Sequence, residues 1–519
     1  MFKKLAIFAA ALFLLGAAQA KEIVIYHTSD SHGYYFPRDI GGRQTGGFAA
    51  LKALLDKETL PYYLIDSGDW STGNYEANMS KGRISLNLMN MLGYKFITVG
   101  NHDFDLGYDL NKTLDVFNGD VLVANMSGFS CKKKIEPYKT VNDGSVKIAF
   151  IGFGLNGPGI DAAKIKIEDP VKVLQKTLKE VIKQKPNVII VIAHDSVLDS
   201  RKPSFLSGAI EKVKGAPQEI NIVFGGHAHK TGATRPIAKG PLFVESGEYL
   251  KTVSRVLIDV DDATGKIKSV DAKLIELDPQ KTGSDKKVEE YLASVANKDL
   301  DKTVGKLNFN LDKYPPKSDV CTDAGGPDIL AEYARQTGIK EGFKTDIVVF
   351  TIPSVRRSIP AGPLSGRDVI EFLPYPEYMS SVGVPGSFLK ELIKDSLKKD
   401  DSSGIYSLFS YSKNVDITFA YNESSKDFEL KKVTVDGKDL QDNKIYKLYI
   451  LSNLVKGYFE GAPFNKLAEK YKKTKIVTQT SSADLFGGLL ASEPQGLNAP
   501  QTCLIHSSAA AAGATSGGK

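Results

Sequence analysis

The chain has 519 residues, of which 42% are hydrophobic and 25% are charged. This composition is that of a globular protein, and the length exceeds what one core of ordinary size organises, so we expect two or more domains. The net charge of +6 is mild, and the sequence has no basic stripe interleaved with aromatic residues. It therefore gives no support for binding of a nucleic-acid polymer.

The first twenty residues, MFKKLAIFAAALFLLGAAQA, have the pattern of a signal peptide. Lys3 and Lys4 precede an apolar run that is short for a membrane span, and the sequence around Ala20 fits a cleavage site. An uncleaved anchor is the alternative, but no later segment reads as a membrane span. We expect cleavage after Ala20 and a periplasmic or secreted protein with no membrane partner, whose charge falls from +6 to +4 because two lysines are removed.

The three cysteines, Cys131, Cys321 and Cys503, are far apart and form no CxxC pair. This spacing argues against a thiolate zinc site or thiol redox chemistry. One disulfide and one free thiol would suit an oxidising compartment, and the sequence leaves the pairing open, Cys321 with Cys503 included.

Through residues 21–280, short β-branched runs that end in polar loops alternate with helical patterns. The five clearest runs are KEIVIYHTSD, PYYLIDSGD, YKFITVGNHD, NVIIVIAHDS and INIVFGGHAHK. The alternation predicts an α/β fold, here an N-terminal layered α/β sandwich. Residues 242–277 predict antiparallel hairpins with Gly265 in a turn.

The remainder of the chain predicts a linker and a smaller domain. A helix and a looser strand over 281–312 form the linker, and 313–500 form a C-terminal α+β domain. In that domain, PGSFLKELIKDSLKK is predicted as a helix, and Asp436-Gly437 is predicted to be the turn of a hairpin. The low-complexity tail, 501–519, is predicted to be disordered.

Five of the seven histidines lie where a predicted strand gives way to a loop. Because ligands bind at the carboxyl ends of strands in α/β sheets, these loops should meet in one pocket. They carry imidazoles, carboxylates and an amide, a mixed donor set that suits zinc, manganese or iron. The set is large enough for two divalent ions bridged by one carboxylate, about 3.5–4 Å apart. The candidate residues are Asp30, His32, Asp69, Asn101, His102, His194, His227 and His229.

The motifs D-x-H, GD, GNHD, H and GHxH, in this order, resemble the calcineurin-type metallophosphoesterases. The two-domain layout resembles the 5′-nucleotidase branch of that superfamily, over residues 22–495. The resemblance implies that Asp69 bridges two metal ions. The remaining ligands it implies are Asp30, His32 and His229 for one ion and Asn101, His194 and His227 for the other.

His102 is implied to be a catalytic residue and not a metal ligand. In the family this histidine stabilises charge on the phosphate or on the leaving oxygen, while a metal-bridging hydroxide attacks phosphorus. Asp105 matches the acid that orients it and keeps it protonated, and Asp103 is interpreted as structural. Trp70, next to Asp69, is predicted either to wall the pocket or to lie in the core.

Departures from the family pattern bear on the substrate. His229 stands where many 5′-nucleotidases have Asn or Gln, and the GHAH form is common in cyclic-nucleotide phosphodiesterase/3′-nucleotidase relatives. In the C-terminal domain, the resemblance implies that Arg356 binds substrate and that Tyr375 stacks on a nucleobase. Leu454 occupies the position of the second stacking aromatic, for which Tyr458 or Phe459 would have to substitute. Arg335 is either a substrate-binding residue or part of a surface ion pair.

We therefore expect a secreted dinuclear-metal hydrolase of phosphomonoesters whose partner is a small-molecule phosphate ester, with nucleoside 5′-monophosphates favoured. A 2′,3′-cyclic nucleotide phosphodiesterase/3′-nucleotidase and a thiosulfohydrolase-like sulfur-ester hydrolase stay open as alternatives. A non-enzymatic binding protein is less favoured because no metal ligand is missing. The metal and the oligomeric state stay open.

Overall fold

The computed structural model describes residues 20–40, 42–107, 109–157, 159–198, 204–313, 325–375, 377–400, 404–456, 462–471, 473–499 and 504–507. The predicted signal peptide, except Ala20, lies outside these ranges, as do Cys321, Cys503, Tyr458 and Phe459. Within them, Cys131 is a free thiol. None of the helices in these ranges combines the length and the hydropathy that crossing a membrane requires.

The chain divides into two compact units. The first consists of residues up to Thr72 and Ser80–Val295, and the second of Gly73–Met79 and the residues from Ala296 on. The boundaries predicted from the sequence stay predictions.

Most strands of the first unit belong to two sheets. In chain order the strands are β1 (Ala20–Thr28), β2 (Arg38–Ile40), β3 (Arg43–Thr45), β4 (Tyr62–Asp66), β5 (Phe96–Ile97), β6 (Asp120–Val121), β7 (Met126–Ser127), β8 (Tyr138–Asp143), β9 (Val146–Phe153), β10 (Lys166–Ile167), β11 (Val188–Ala193), β12 (Ile222–Gly225), β13 (Thr231–Thr234), β14 (Leu242–Ser246), β15 (Thr252–Asp261) and β16 (Ile267–Glu276).

Each sheet has six strands, with parallel strands in the middle and antiparallel strands at an edge. The first has the order β16-β15-β1-β4-β5-β6, in which β1, β4, β5 and β6 are parallel. The second has the order β13-β14-β12-β11-β9-β8, in which β9, β11, β12 and β14 are parallel. The predicted hairpin is confirmed, since β15 pairs antiparallel with β16 and Gly265 has a positive φ in their turn.

The two sheets share a core, which gives the layered sandwich predicted from the sequence. Ile25 of β1 and Ile65 of β4 belong to the same buried cluster as Ile190 of β11 and Phe224 of β12. Because alternate residues of a strand face opposite sides, the neighbouring Val191 and Val223 join a second cluster with helical residues. The near-continuous apolar strands reflect this burial on both faces.

Helices in chain order are α1 (Phe48–Leu55), α2 (Tyr75–Ser80), α3 (Arg83–Leu92), α4 (Asp109–Leu114), α5 (Ile160–Ala163), α6 (Pro170–Lys183), α7 (Phe205–Lys212), α8 (Ala216–Glu219), α9 (Pro279–Thr282) and α10 (Lys286–Val295). The sequence signals are clear in α6, where Pro170 occupies the first turn and Asp169 accepts a hydrogen bond from the Lys172 amide. The 3₁₀ helices are Asn101–Leu106, Lys298–Asp301 and Ile352–Ser354.

The second unit is α+β, as predicted. Its strands are β17 (Thr303–Leu307), β18 (Ile347–Thr351), β19 (Gly362–Ser365), β20 (Tyr378–Pro385), β21 (Leu397–Asp400), β22 (Gly404–Ser407), β23 (Phe409–Tyr411), β24 (Val415–Asn422), β25 (Asp427–Val435), β26 (Lys438–Asp439), β27 (Ile445–Leu451), β28 (Ile476–Ser481) and β29 (Ile505–Ser507). Its helices are α11 (Gly325–Lys340), α12 (Gly366–Phe372), α13 (Gly386–Ser396), α14 (Ser452–Lys456), α15 (Ala462–Tyr471) and α16 (Ser482–Ser492).

Two segments of this unit differ from the sequence prediction. The helix predicted over PGSFLKELIKDSLKK ends at Ser396, and Leu397–Asp400 continues as β21 paired with β22. Part of the tail predicted to be disordered, Ile505–Ser507, pairs parallel with β24 because Leu504 and Ile505 are buried. The turn at Asp436-Gly437 is confirmed, and both residues have positive φ.

Candidate metal centre

The seven predicted ligands lie in loops that leave the carboxyl ends of parallel strands. Three of these strands, β1, β4 and β5, belong to the first sheet, and β11 and β12 belong to the second. The structure brings two groups of donor atoms together. The first is Asp30, His32 and His229, and the second is Asp69, His194 and His227.

In the first group, two imidazole nitrogens and a carboxylate oxygen converge. His32 Nε2 lies 3.3 Å from His229 Nε2, which in turn lies 3.5 Å from Asp30 Oδ1. Asp30 is fully buried and His32 nearly so. Two imidazoles and a carboxylate around one point fit a divalent ion of borderline softness.

The second group has the same kind of donors and gains an amide oxygen from Asn101. His194 Nε2 lies 3.1 Å from Asp69 Oδ2 and 3.2 Å from Asn101 Oδ1. His227 Nδ1 lies 2.9 Å from the same amide oxygen. The sequence assignment of Asn101 to this group is therefore compatible with its position.

Asp69 Oδ2 stands between the two groups. Besides its contact with His194, this oxygen lies 3.7 Å from His32 Nε2 in the first group. The other oxygen of Asp69, Oδ1, accepts a hydrogen bond from the His102 amide at 2.7 Å. A Cβ on Gly100 would lie 2.2 Å from Oδ1, so glycine is required beside this carboxylate.

The electrostatics of the centre favour positive charge. Burial alone would raise the pKa of Asp69, but His194, His102 and His32 hold it well below its usual range. Burial opposes charge on His194 as well, yet the Asp69 carboxylate raises the pKa of His194 to about 10. Buried carboxylates that face imidazoles in this way create a site where a cation is stabilised.

Neighbouring groups orient the imidazoles. His32 Nδ1 donates to the Thr72 carbonyl oxygen at 3.0 Å, and His194 Nδ1 donates to the Ser67 carbonyl oxygen at 2.7 Å. His229 Nδ1 instead contacts the Glu248 carboxylate. Because Nδ1 is engaged in each case, Nε2 is the nitrogen of all three rings that would be offered to a metal ion.

Backbone strain is concentrated in the same loops. Five of the predicted ligands have φ in the left-handed region, which residues other than glycine rarely adopt. Such strain persists where the surroundings over-determine the conformation, often at functional sites. The residues are Asp30 (51°), His32 (48°), Asp69 (57°), His227 (71°) and His229 (58°).

His102 and Asp105 form a pair beside the centre. His102 Nδ1 and Asp105 Oδ2 are 2.8 Å apart, and both side chains are about one-quarter exposed. The His102 ring centroid lies 5.3 Å from that of His32. The pair therefore adjoins the first donor group and remains accessible to a substrate.

Asp103 has the structural role expected of it. Its carboxylate accepts hydrogen bonds from four backbone amides, and it is fully buried. These amides belong to Asp69, Trp70, Ser71 and Gly100. Burial raises the pKa of Asp103 to about 7. Trp70 is fully buried and donates Nε1–H to the Thr98 carbonyl oxygen, so it is a core residue.

In the second unit, two of the three predicted substrate-binding residues lie together. The Arg356 guanidinium lies 5.3 Å from the centroid of the Tyr375 ring. Arg335 instead makes a two-pronged ion pair with Glu332 on its own helix, at 3.0 and 2.8 Å, which supports the ion-pair interpretation. Leu454 is fully buried and cannot stack on a nucleobase.

The sequence did not identify the residues outside the predicted ligand set that hold the ligand side chains in place. Glu248 contacts His229, and Ser67 hydrogen-bonds both His194 and the buried His27. Nothing in ESGEYL, the segment around Glu248, distinguishes it from an ordinary polar turn. These contacts arise from the pairing of distant strands.

Two family profiles match the chain. Residues 23–231 match the calcineurin-like phosphoesterase profile, and residues 318–465 match the 5′-nucleotidase C-terminal domain. Protein UshA of Yersinia enterocolitica serotype O:8 is 25% identical over 490 residues, which cover 83% of this chain and 84% of that protein.

Two solved structures share the fold. The 5′-nucleotidase precursor of Thermus thermophilus has a TM-score of 0.76 and 19% identity, with 94% of this chain and 99% of that chain covered. The sulfate thiohydrolase SoxB of Thermus thermophilus has a TM-score of 0.69 and 14% identity, with 94% and 96% covered.

The first unit, with its donor groups at the strand ends, is a calcineurin-like phosphoesterase domain, and the chain is a metal-dependent phosphoester hydrolase. This domain is followed by a 5′-nucleotidase C-terminal domain, so the chain has the two-domain organisation of the 5′-nucleotidases that it resembles.

Proposed function

We propose that this chain is a dinuclear-metal phosphomonoesterase that acts on small molecules outside the cytoplasm, with nucleoside 5′-monophosphates as favoured substrates. The observation that carries the proposal is the position of Asp69, whose Oδ2 is shared by the two donor groups. Divalent ions held there, manganese, zinc or iron, would supply Lewis acidity and lower the pKa of water.

In this proposal His102 stabilises the transition state. Its Nδ1 lies 2.8 Å from Asp105 Oδ2, and its Nε2, when it carries a proton, would donate to the phosphate or to the leaving oxygen. A donor fixed in advance where negative charge develops stabilises the transition state more than the ground state. Thr72 supports this geometry, because its hydroxyl donates to the His102 carbonyl oxygen at 3.1 Å.

The proposed specificity for nucleotides rests on two residues of the second unit. Arg356 supplies positive charge for an anionic substrate, and Tyr375 supplies an aromatic face for a base. The likeness to UshA and to the Thermus 5′-nucleotidase supports this choice. Export rests on residues 1–20, whose pattern is that of a cleaved signal peptide.

The test is phosphate release by residues 21–519 from AMP and from an aryl phosphate, with manganese or zinc restored after chelation. Turnover that depends on metal and is much faster with AMP supports the proposal. The Tyr375→Ala variant should then lose turnover of AMP and keep that of the aryl phosphate. Equal turnover of both substrates by the parent protein would rule out nucleotides as favoured substrates.

A second candidate follows from the buried Leu454, since the described residues provide Tyr375 as one stacking face but no aromatic at the second position. His229 as the last ligand also departs from many 5′-nucleotidases. A 2′,3′-cyclic phosphodiesterase/3′-nucleotidase, or a hydrolase like the sulfate thiohydrolase whose fold it shares, is therefore the alternative. Faster turnover of cyclic nucleotides or thiosulfonates than of AMP would favour it.

A further inference from the structure

The turn Gly247–Lys251, between β14 and β15, contacts every residue of the first donor group. The Glu248 carboxylate accepts a hydrogen bond from His229 Nδ1. The Tyr249 amide donates to the Asp30 carbonyl oxygen at 2.8 Å. The Tyr249 ring centroid lies 5.6 Å from that of His229 and 5.7 Å from that of His32. One short segment thus supports three predicted ligands.

The conformation of this turn is held by its surroundings. Tyr249 and Leu250 both have positive φ, 57° and 54°, which non-glycine residues rarely adopt. The Arg38 guanidinium lies 4.8 Å from the Tyr249 ring and 4.0 Å from the Tyr34 ring, and these two rings are 4.3 Å apart. Consecutive strained residues beside a polar centre indicate a functional constraint.

His229 differs from the other oriented imidazoles in the partner of its Nδ1. His32 and His194 donate to peptide carbonyl oxygens, whereas His229 donates to a carboxylate. The Glu248 carboxylate is itself fixed by Lys251 Nζ, 2.6 Å from Oε1. A charge-assisted hydrogen bond is about twice as strong as a neutral one, and a carboxylate partner makes the imidazole a stronger ligand.

We propose that Glu248 is a positioning residue that fixes the His229 tautomer and makes the Asp30–His32–His229 group the tighter of two metal sites. The inference rests on the proposed metal centre but not on the identity of the substrate. Glu248 itself points at Nδ1 and therefore acts through the ring, not as a ligand.

The experiment is a calorimetric titration of residues 21–519, freed of metal by a chelator, with Mn²⁺. The parent protein should bind two ions with unequal affinities. Glu248→Gln should weaken the tighter event by about 10–100-fold and leave the weaker event unchanged. Glu276→Gln is the matched control. Glu276 lines a cavity of about 520 Å³ together with Glu248 and His229, but its carboxylate pairs with Arg43 and not with a predicted ligand.

A double-mutant cycle tests whether Glu248 acts through the His229 ring or only through its own negative charge. In the His229→Gln background no imidazole remains to be oriented, so adding Glu248→Gln should cause no further loss of affinity. An equal loss in both backgrounds, or no loss in the single variant, would overturn the inference. Unfolding of the metal-free variants by urea should match that of the parent; if Glu248→Gln alone were destabilised without metal, a merely structural role would replace the proposed one.

The titration also distinguishes this inference from the proposed substrate. Failure to hydrolyse AMP, with two Mn²⁺ bound and the Glu248 effect intact, would reject the nucleotide proposal alone. Failure of the parent protein to bind two ions would reject the metal centre and this inference together.

Discussion

His102 is the residue whose role is most sharply testable. It adjoins the donor groups, but its Nδ1 is engaged by Asp105 and its amide by Asp69. We expect His102→Ala to lower kcat by about 10²–10³-fold, as loss of one transition-state donor does. Metal content, measured by inductively coupled plasma mass spectrometry, should stay that of the parent. Loss of metal would contradict the catalytic assignment.

We expect Asp105 to affect kcat only through its contact with His102. Asp105→Asn keeps a hydrogen-bond acceptor but removes the negative charge that lies 2.8 Å from His102 Nδ1. We expect a smaller fall in kcat than for His102→Ala, and no further fall when Asp105→Asn is added to His102→Ala. Steady-state kinetics of the two single variants and the double variant check this. Additive effects would mean that Asp105 contacts the substrate by a separate route.

We expect Asp103 to stabilise the loops and to take no part in the reaction. Removing its carboxylate leaves four buried amides without that acceptor. Since each buried unsatisfied group costs about 1–3 kcal/mol, Asp103→Ala should lower the free energy of unfolding by roughly 3–5 kcal/mol after partial relaxation. Urea unfolding of the metal-free protein measures this, with Asp105→Ala, at a more exposed position, as control. Equal destabilisation by both variants would contradict the assignment.

At the scale of secondary structure, β1 carries a buried histidine that makes the sandwich sensitive to acid. His27 is fully buried between Ser246 Oγ at 2.6 Å and Ser67 Oγ at 2.8 Å. Burial lowers its pKa from 6.5 to about 3. Between these values the unfolded chain binds a proton that the folded chain does not, so stability falls as the pH falls through this window.

His27→Gln should therefore be less sensitive to acid than the parent protein. Below pH 6.5 the parent should lose about 1.4 kcal/mol more per pH unit than the variant, the value for one proton. Urea unfolding at pH 4–8 in the presence of chelator measures both slopes. At pH 8 the two slopes should coincide, and parallel slopes throughout would show that His27 is not buried in the neutral form.

The pattern of strands and loops in the sequence was enough to place the candidate ligands at the carboxyl ends of the parallel strands. Asp30, Asp69 and His194 each follow a strand with strong β-branched character, and such strands end at one edge of a sheet. The pairing of strands was not predictable in this way. The Ser246 hydroxyl contacts His27, which lies 219 positions away in the chain. Glu248, which contacts His229, lies in the turn that connects β14 of the second sheet with β15 of the first.

Local pattern also failed where tertiary context decides. Leu397–Asp400 continues a helical period but pairs as a strand. Ile505–Ser507 is too short to stand out in a polar tail, yet it adds to β24. Short segments carry weak propensities, and packing overrides them.

On the scale of the whole molecule, the chain passes from the first unit to the second directly after the loop that carries Asp69. Gly73–Met79 belongs to the second unit, although Thr72 and Ser80 belong to the first. In the second unit, the buried Glu76 carboxylate accepts two hydrogen bonds from Arg367 Nη1, each 2.9 Å long, and one from the Asn297 amide at 3.2 Å. Contacts between residues 291 positions apart leave no trace in a local sequence pattern.

Metal removal should destabilise the first unit and leave the second unchanged, because both donor groups belong to the first. An ion whose free concentration is 100 times its Kd raises the free energy of unfolding by about 2.7 kcal/mol per site. The single tryptophan, Trp70, is buried in the first unit next to Asp69, so its fluorescence reports on that unit. With Mn²⁺ present, the Trp70 transition should move to higher temperature by several degrees relative to chelated protein.

Calorimetry of the same samples supplies the control. A second transition that Trp70 fluorescence does not detect should stay at one temperature with and without Mn²⁺, because the described residues of the second unit include neither donor group. Asp69→Asn should remove most of the Mn²⁺-dependent shift, since Asp69 Oδ2 faces both groups. A Trp70 transition that does not respond to Mn²⁺ in the parent protein would mean that these donors do not bind the ion.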